Sequence, residues 1–224
     1  MLSAGEQSHG SAHARTSTDT PLVFIVDDDV SMRESVESLV RCAGWHCETF
    51  ASAEEFLARP RAGVPSCLVL DYRLPQLDGL GLQKRLAAER ARLPIIFMTY
   101  FGDPAMAVEA MKGGALELLV KPFCDDALLA AIHQGIARSA AALRRDAELR
   151  RLWHCYDSLS RRERQIMALV VAGRLNKQIA SQLVISEITV KAHRGHVMHK
   201  MQADSLAQLV NMAIKLNLES MPVP

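Results

Sequence analysis

From Pro21 onward, short apolar runs alternate with longer stretches whose apolar residues recur every three or four positions. The runs are Leu22–Val26, Cys67–Leu70, Ile95–Met98 and Leu116–Val120, with Trp45–Phe50 as a more mixed member. Four or five consecutive residues rich in Val, Ile and Leu suit strands buried on both faces. Helices are expected from about Ser31 to Ala43, with Met32, Val36, Leu39 and Val40 on one face, after a Ser52 cap, over Leu80–Glu89, over Pro104–Lys112, and from Asp125. Strand and helix alternating in this way predict an α/β fold, a five-stranded doubly wound parallel sheet with right-handed crossovers.

Beyond position 157 the strand pattern stops. Ser160-Arg-Arg-Glu163 reads as a capping box opening a helix that Gly173 ends. Asn176, Ser186 and Asp204 are expected to cap three more helices, giving an all-α four-helix unit with helix-turn-helix spacing around Val184-Ile185-Ser186. The expected organisation is a disordered tail at 1–20, an α/β domain at 21–137, an exposed helical linker at 138–157 and a helical domain at 158–224.

A polar group follows each of four apolar runs. Asp27-Asp28 follows the first, Asp71 the third and Thr99 the fourth, while Lys121 follows Val120. The carboxyl ends of parallel strands share one crevice, so these groups should converge there. Carboxylates, a hydroxyl and an ammonium in one crevice describe a site for a divalent cation and a phosphoryl group. Asp residues at strand ends can also be plain caps for the following helices, but an Asp doublet, a third Asp, a Thr and a Lys, each after its own strand, favour the site.

Composition narrows the class. The chain has 224 residues, 49% hydrophobic and 23% charged, as in ordinary globular proteins. No apolar run approaches the roughly 18 residues of a membrane span, and no secretory leader pattern is present, so no membrane partner is expected. Five cysteines without CxxC spacing read as thiols in a reducing cytoplasm. Net charge is +1, yet residues 1–140 carry 13 Lys/Arg against 18 Asp/Glu and residues 141–224 carry 13 against 7. The excess of six positive charges in the C-terminal part suits a polyanion partner.

The strand-end set of Asp27, Asp28, Asp71, Thr99 and Lys121 resembles the receiver domain of bacterial two-component response regulators, a flavodoxin-like fold. Leu159-Ser-Arg-Arg-Glu-Arg, Asn176-Lys-Gln-Ile-Ala and Thr189-Val-Lys-Ala-His-Arg, in that order, resemble the helix-turn-helix output of LuxR/FixJ-type transcription factors. The resemblance implies Asp71 as phospho-acceptor, Asp28 as direct metal ligand, Asp27 acting through water, and Arg73 lending its carbonyl. The metal would be Mg²⁺ or a similar cation such as Mn²⁺. Thr99 and Lys121 match the switch hydroxyl and the phosphate-pairing lysine, and Pro122 the proline usually joined by a cis peptide. Two positions depart from the family: Tyr100 stands where a small residue is usual, and Leu118 where an aromatic switch residue is usual.

The basic stretch Glu187–Lys200 separates at helical spacing. Ile188, Val190, Val197, Met198 and Met201 are expected to face the core. Thr189, Lys191, Ala192, His193, Arg194, Gly195 and Lys200, with Lys177 from the preceding helix, are expected to face DNA. His193, His196 and His199 at i, i+3, i+6 suggest a metal, a reading set aside because no carboxylate or Cys accompanies them and the resemblance places them on a DNA-facing helix.

The expected function is a phosphorylation-controlled, cytoplasmic, DNA-binding transcription regulator, an activator, fed by a sensor histidine kinase. Its other partners would be RNA polymerase and a second copy of the chain when phosphorylated. The alternative is a DNA-binding regulator whose receiver serves only as a phosphate-independent dimerisation module. An aspartyl-phosphate phosphatase or phosphotransferase is disfavoured, since such enzymes need an acid/base carboxylate two residues after the nucleophile, where Arg73 stands.

Overall fold

The computed structural model describes residues 20–60, 63–89 and 92–218. The tail expected to be disordered lies outside them, apart from Thr20. Two compact units divide between Leu143 and Arg144.

In the first unit, β1 (Leu22–Val26), β2 (His46–Phe50), β3 (Ser66–Asp71), β4 (Ile95–Thr99) and β5 (Glu117–Val120) form one parallel sheet in the order β2-β1-β3-β4-β5. The intervening helices are α1 (Val30–Cys42), α2 (Ala53–Ala58), α3 (Gly79–Ala88), α4 (Pro104–Lys112) and α5 (Asp125–Asp157). Period-two alternation splits each central strand between two cores. Phe24, Val26, Leu68, Leu70, Ile95 and Phe97 pack with residues of α2 and α3. Val23, Ile25, Cys67, Val69, Ile96 and Met98 pack with Val36 and Val40 of α1 and with Leu128 and Ile132 of α5. A Cβ on Gly135 would stand 2.9 Å from the Cys67 Cβ, so a glycine there lets α5 lie close on β3.

Four helices are opened by the side chain before them: Asp29 caps α1, Ser52 α2, Asp78 α3 and Asp103 α4. These caps fix the direction in which the chain leaves the carboxyl edge of the sheet.

The second unit contains α6 (Arg161–Val171), α7 (Asn176–Leu183), α8 (Glu187–Met201) and α9 (Leu206–Lys215). Its core gathers Ile166, Ile179, Val190, Val197, Met201, Leu209 and, from the end of α5, Leu152 and Cys155. The C-terminal turns of α5, read from sequence as an exposed linker, are therefore part of this core, because Leu152 and Cys155 carry an apolar stripe between the charged residues. The Ser160–Glu163 capping box is present as expected.

Two expected caps move by one residue. α7 begins after Leu175, whose N–H donates to the Gln178 side chain at 2.9 Å, while the Asn176 amide oxygen accepts from Arg194 at 2.6 Å. α9 is capped by Ser205, which accepts from the Gln208 N–H at 3.2 Å, and not by Asp204.

Candidate phosphoryl site and nucleic-acid face

Strand register assembles the crevice. Val26 pairs with Leu70, so Asp27 and Asp71 leave the two central strands side by side. Thr99 pairs with Val120, and the next residue, Lys121, donates its N–H to the Thr99 carbonyl at 2.7 Å. From the sheet's edge the Lys121 ammonium reaches inward to Asp27 Oδ2 at 2.8 Å and Asp71 Oδ1 at 2.6 Å. All three side chains are buried. Strand order reverses at β1 and β3, where a ligand crevice belongs in a doubly wound sheet.

The remaining oxygens have defined duties. Asp71 Oδ2 accepts from the Arg73 N–H at 2.7 Å, and Asp27 Oδ1 from the Asp29 N–H at 2.9 Å. Arg33, unremarked in the sequence, donates to the Asp27 carbonyl at 2.7 Å. A Cβ on Gly79 would meet the Asp71 carbonyl oxygen at 2.8 Å, so the chain after β3 crosses tightly over this corner. Burial raises the Asp71 pKa above its ordinary value, and the bond to Lys121 only partly offsets it. For Lys121, burial opposes the charged form, but the bonds to Asp27 and Asp71 outweigh it and the pKa is raised. The buried pair is thus held as an ammonium shared between two carboxylates.

Asp28 is exposed at the rim, and Asp29 turns away to cap α1. The Thr99 hydroxyl is buried, donating to the Phe101 carbonyl at 3.3 Å and accepting from its N–H at 3.2 Å. Two aromatic rings cover the rim. Tyr100, 58% exposed, has its ring centroid 4.8 Å from the Lys121 Nζ, and the Arg73 guanidinium lies 4.3 Å from the Phe101 ring. Leu118 packs against the core around Phe97, with no ring at its position. The peptide before Pro122 is cis.

On α8, Ile188, Lys191, Ala192 and Gly195 are exposed at i, i+3, i+4 and i+7, one continuous face. Ile188, expected in the core, is 80% exposed. Its apolar character misled, because the core side of this helix is carried by Val190, Val197 and Met201. Lys177 is exposed at the start of α7. Thr189 shares a 2.8 Å bond with the capping Ser186, and Arg194 is held to Asn176. Lys200, read as facing DNA, also has a duty within the unit: its ammonium bonds Glu163 Oε2 at 2.7 Å and the Ser158 carbonyl at 3.3 Å. His193 is half-buried, and the carboxylate thought to be missing from the histidine series is present: Glu163 of α6 stands beside His193 and His196.

Comparison with known proteins agrees with this geometry. Residues 23–133 match the response regulator receiver domain, and residues 157–213 the luxR family of bacterial regulatory proteins. Nodulation protein W of Bradyrhizobium diazoefficiens is 45% identical over 93% of this chain and 91% of its own. The chain is a response regulator of the FixJ type. The transcriptional regulatory protein FixJ of the same organism is 41% identical over 88% of this chain and 96% of its own. The structure of response regulator StyR superposes with a TM-score of 0.80 at 45% identity, covering 88% of this chain and 99% of that one. The chain accordingly joins a receiver to a LuxR-type DNA-binding domain and regulates transcription under control of phosphorylation. Its family is one of regulators, its receiver implies a histidine kinase partner, and receivers bind Mg²⁺ at the phosphorylation site. Among the described residues no helix is long and apolar enough to cross a membrane.

Proposed function

We propose that Asp71 is the residue that accepts the phosphoryl group. The observation that carries this is its placement: a buried carboxylate ending a central strand, one oxygen on the Lys121 ammonium and the other on a backbone N–H. One Asp71 oxygen attacks phosphorus, the donor's leaving group departs, and an acyl phosphate forms. Lys121, already 2.6 Å from the carboxylate, pairs with the transferred oxygens, and the Thr99 hydroxyl donates to another after leaving Phe101. The donor set suits a hard cation, being oxygen throughout. Asp28, Asp71 and the Arg73 carbonyl would hold Mg²⁺ or Mn²⁺ directly, with Asp27 acting through water. The cation would neutralise repulsion between Asp71 and the incoming phosphoryl group.

Phosphorylation by the sensor kinase favours a receiver dimer, which presents two copies of α8 to promoter DNA and, as an activator, engages RNA polymerase in the cytoplasm. Ile188, Lys191, Ala192 and Gly195 form the groove-facing surface, flanked by Thr189, His193 and Arg194, with Lys177 on phosphate at the positive end of α7. A symmetric dimer reads an imperfect inverted repeat. Incubation with Mg²⁺ and acetyl phosphate, followed by intact-mass analysis and operator titration, tests the reading. Wild type should gain one phosphate and bind more tightly, and Asp71→Asn should do neither. An adduct of equal yield on Asp71→Asn would discard the assignment. A second reading, in which the receiver only dimerises, draws on Leu118 lacking a ring to move; it predicts equal operator affinity with and without the adduct.

A further inference from the structure

Glu163, His193 and His196 bring one donor atom each to within 4.8 Å of one another, and they alone do so among the described His, Cys, Asp and Glu residues. The two imidazoles stand at i and i+3 on α8, their rings nearly perpendicular at 89° with centroids 6.2 Å apart. The carboxylate comes from α6. Its Oε2 is fully used, accepting from Lys200 at 2.7 Å and from the Ser160 N–H at 2.8 Å. Its Oε1 faces His196 Nδ1 at 3.7 Å, too far for a hydrogen bond. His193 Nδ1 is buried and has no partner among the described residues, a state that ordinarily costs free energy. A buried, unpartnered imidazole nitrogen beside a carboxylate oxygen and a second imidazole, on two different helices, has the form of a ligand set awaiting its ion.

We infer that Glu163, His193 and His196 form a transition-metal site that clips the recognition helix α8 to α6. Two imidazole nitrogens and one carboxylate oxygen suit Zn²⁺, a borderline cation, and not Mg²⁺, which takes oxygen. The fourth position of a tetrahedral ion is left to water. Lys200 holds the opposite oxygen at 2.7 Å, which leaves Oε1 to the ion. Because the ligands come from separate helices, the unfolded chain holds no such site, and bound metal stabilises the folded unit in proportion to its concentration.

Co²⁺ is the probe, added to the full-length protein in excess Mg²⁺ so that the oxygen-rich crevice of the receiver is occupied. Wild type should show the intense visible absorption of four-coordinate Co²⁺, quenched by Zn²⁺, and Zn²⁺ should raise the thermal midpoint. His196→Ala, at a side chain 66% exposed and so of little consequence for folding, should weaken Co²⁺ binding by roughly tenfold or more and abolish the Zn²⁺ stabilisation. His199→Ala and the His9→Ala/His13→Ala pair should leave the absorption intact. Weak, six-coordinate-type absorption in wild type, an unchanged spectrum in His196→Ala, or loss of the signal in either control would overturn the site.

Discussion

At the level of single residues, the shared Lys121 ammonium explains why the acceptor is at once buried and ready. Asp71 and Asp27 would repel each other if ionised without a counter-charge, and Lys121 supplies it from the edge strand. Tyr100 lies over that ammonium and obstructs approach from solvent. Tyr100→Ala should therefore speed both phosphorylation by acetyl phosphate and loss of the adduct, each by severalfold; unchanged rates in a mass-resolved time course would remove the shielding role. Cys67 offers a test of core integrity. Burial pushes its thiol from 9.0 up to about 12. The neutral thiol is favoured in the folded state, so this contribution is whole below pH 9 and is lost as pH rises from 9 towards 12. At pH 8 the exposed Cys42 and Cys124 should alkylate with iodoacetamide while Cys67 stays unlabelled until the protein unfolds. Labelling of Cys67 at the rate of Cys42 would mean that the sheet opens locally.

Among the elements, the strands were the most legible part of the chain. Burial on both faces leaves an unbroken apolar run in β1, β3 and β4, and the edge strand β5 still shows Leu118-Leu-Val120. A parallel sheet turns the residue at each run's end towards one crevice, so Asp27, Asp71, Thr99 and Lys121 could be read together. The helices of the second unit were legible where a side chain closes a local loop, as Ser160 and Ser186 do. They were misread where a neighbour competes: Asn176 spends its amide on Arg194, and Gln178 takes over the capping. Lys200 and the Glu163–His193–His196 group were illegible for a related reason, since their partners lie some 30 or more positions apart. Gly195 shows an element serving something outside itself. A Cβ there would meet nothing within 4 Å, so packing does not demand glycine, and a helix-interior glycine costs about 1 kcal/mol relative to alanine. Gly195→Ala should raise the thermal midpoint while weakening operator binding by about 1 kcal/mol or more. A variant both more stable and equally tight on DNA would show that the groove does not press on this position.

For the whole molecule, two compact units, each with core residues of its own, mean that reception and DNA binding are separately folded. Residues 144–224 carry their own core and an excess of positive charge. That fragment should bind operator DNA whether or not phosphodonor is present. Lys177, Lys191 and Arg194 give three phosphate-seeking cations per subunit, so log K should fall against log salt with a slope of about −3 per subunit. A slope nearer −4 would return Lys200 to the DNA face and break its bond to Glu163. The Thr99 hydroxyl carries a consequence for the phosphorylation balance. It can serve the Phe101 backbone or a phosphoryl oxygen, but not both in full, so the loop after β4 and the acyl phosphate compete for one group. By thermodynamic reciprocity, whatever captures that loop once released must also hold the phosphate on Asp71 more firmly. The balance between phosphorylated and unphosphorylated protein is then set partly by its audience: an occupied loop surface tips it towards the message, and an idle one tips it back.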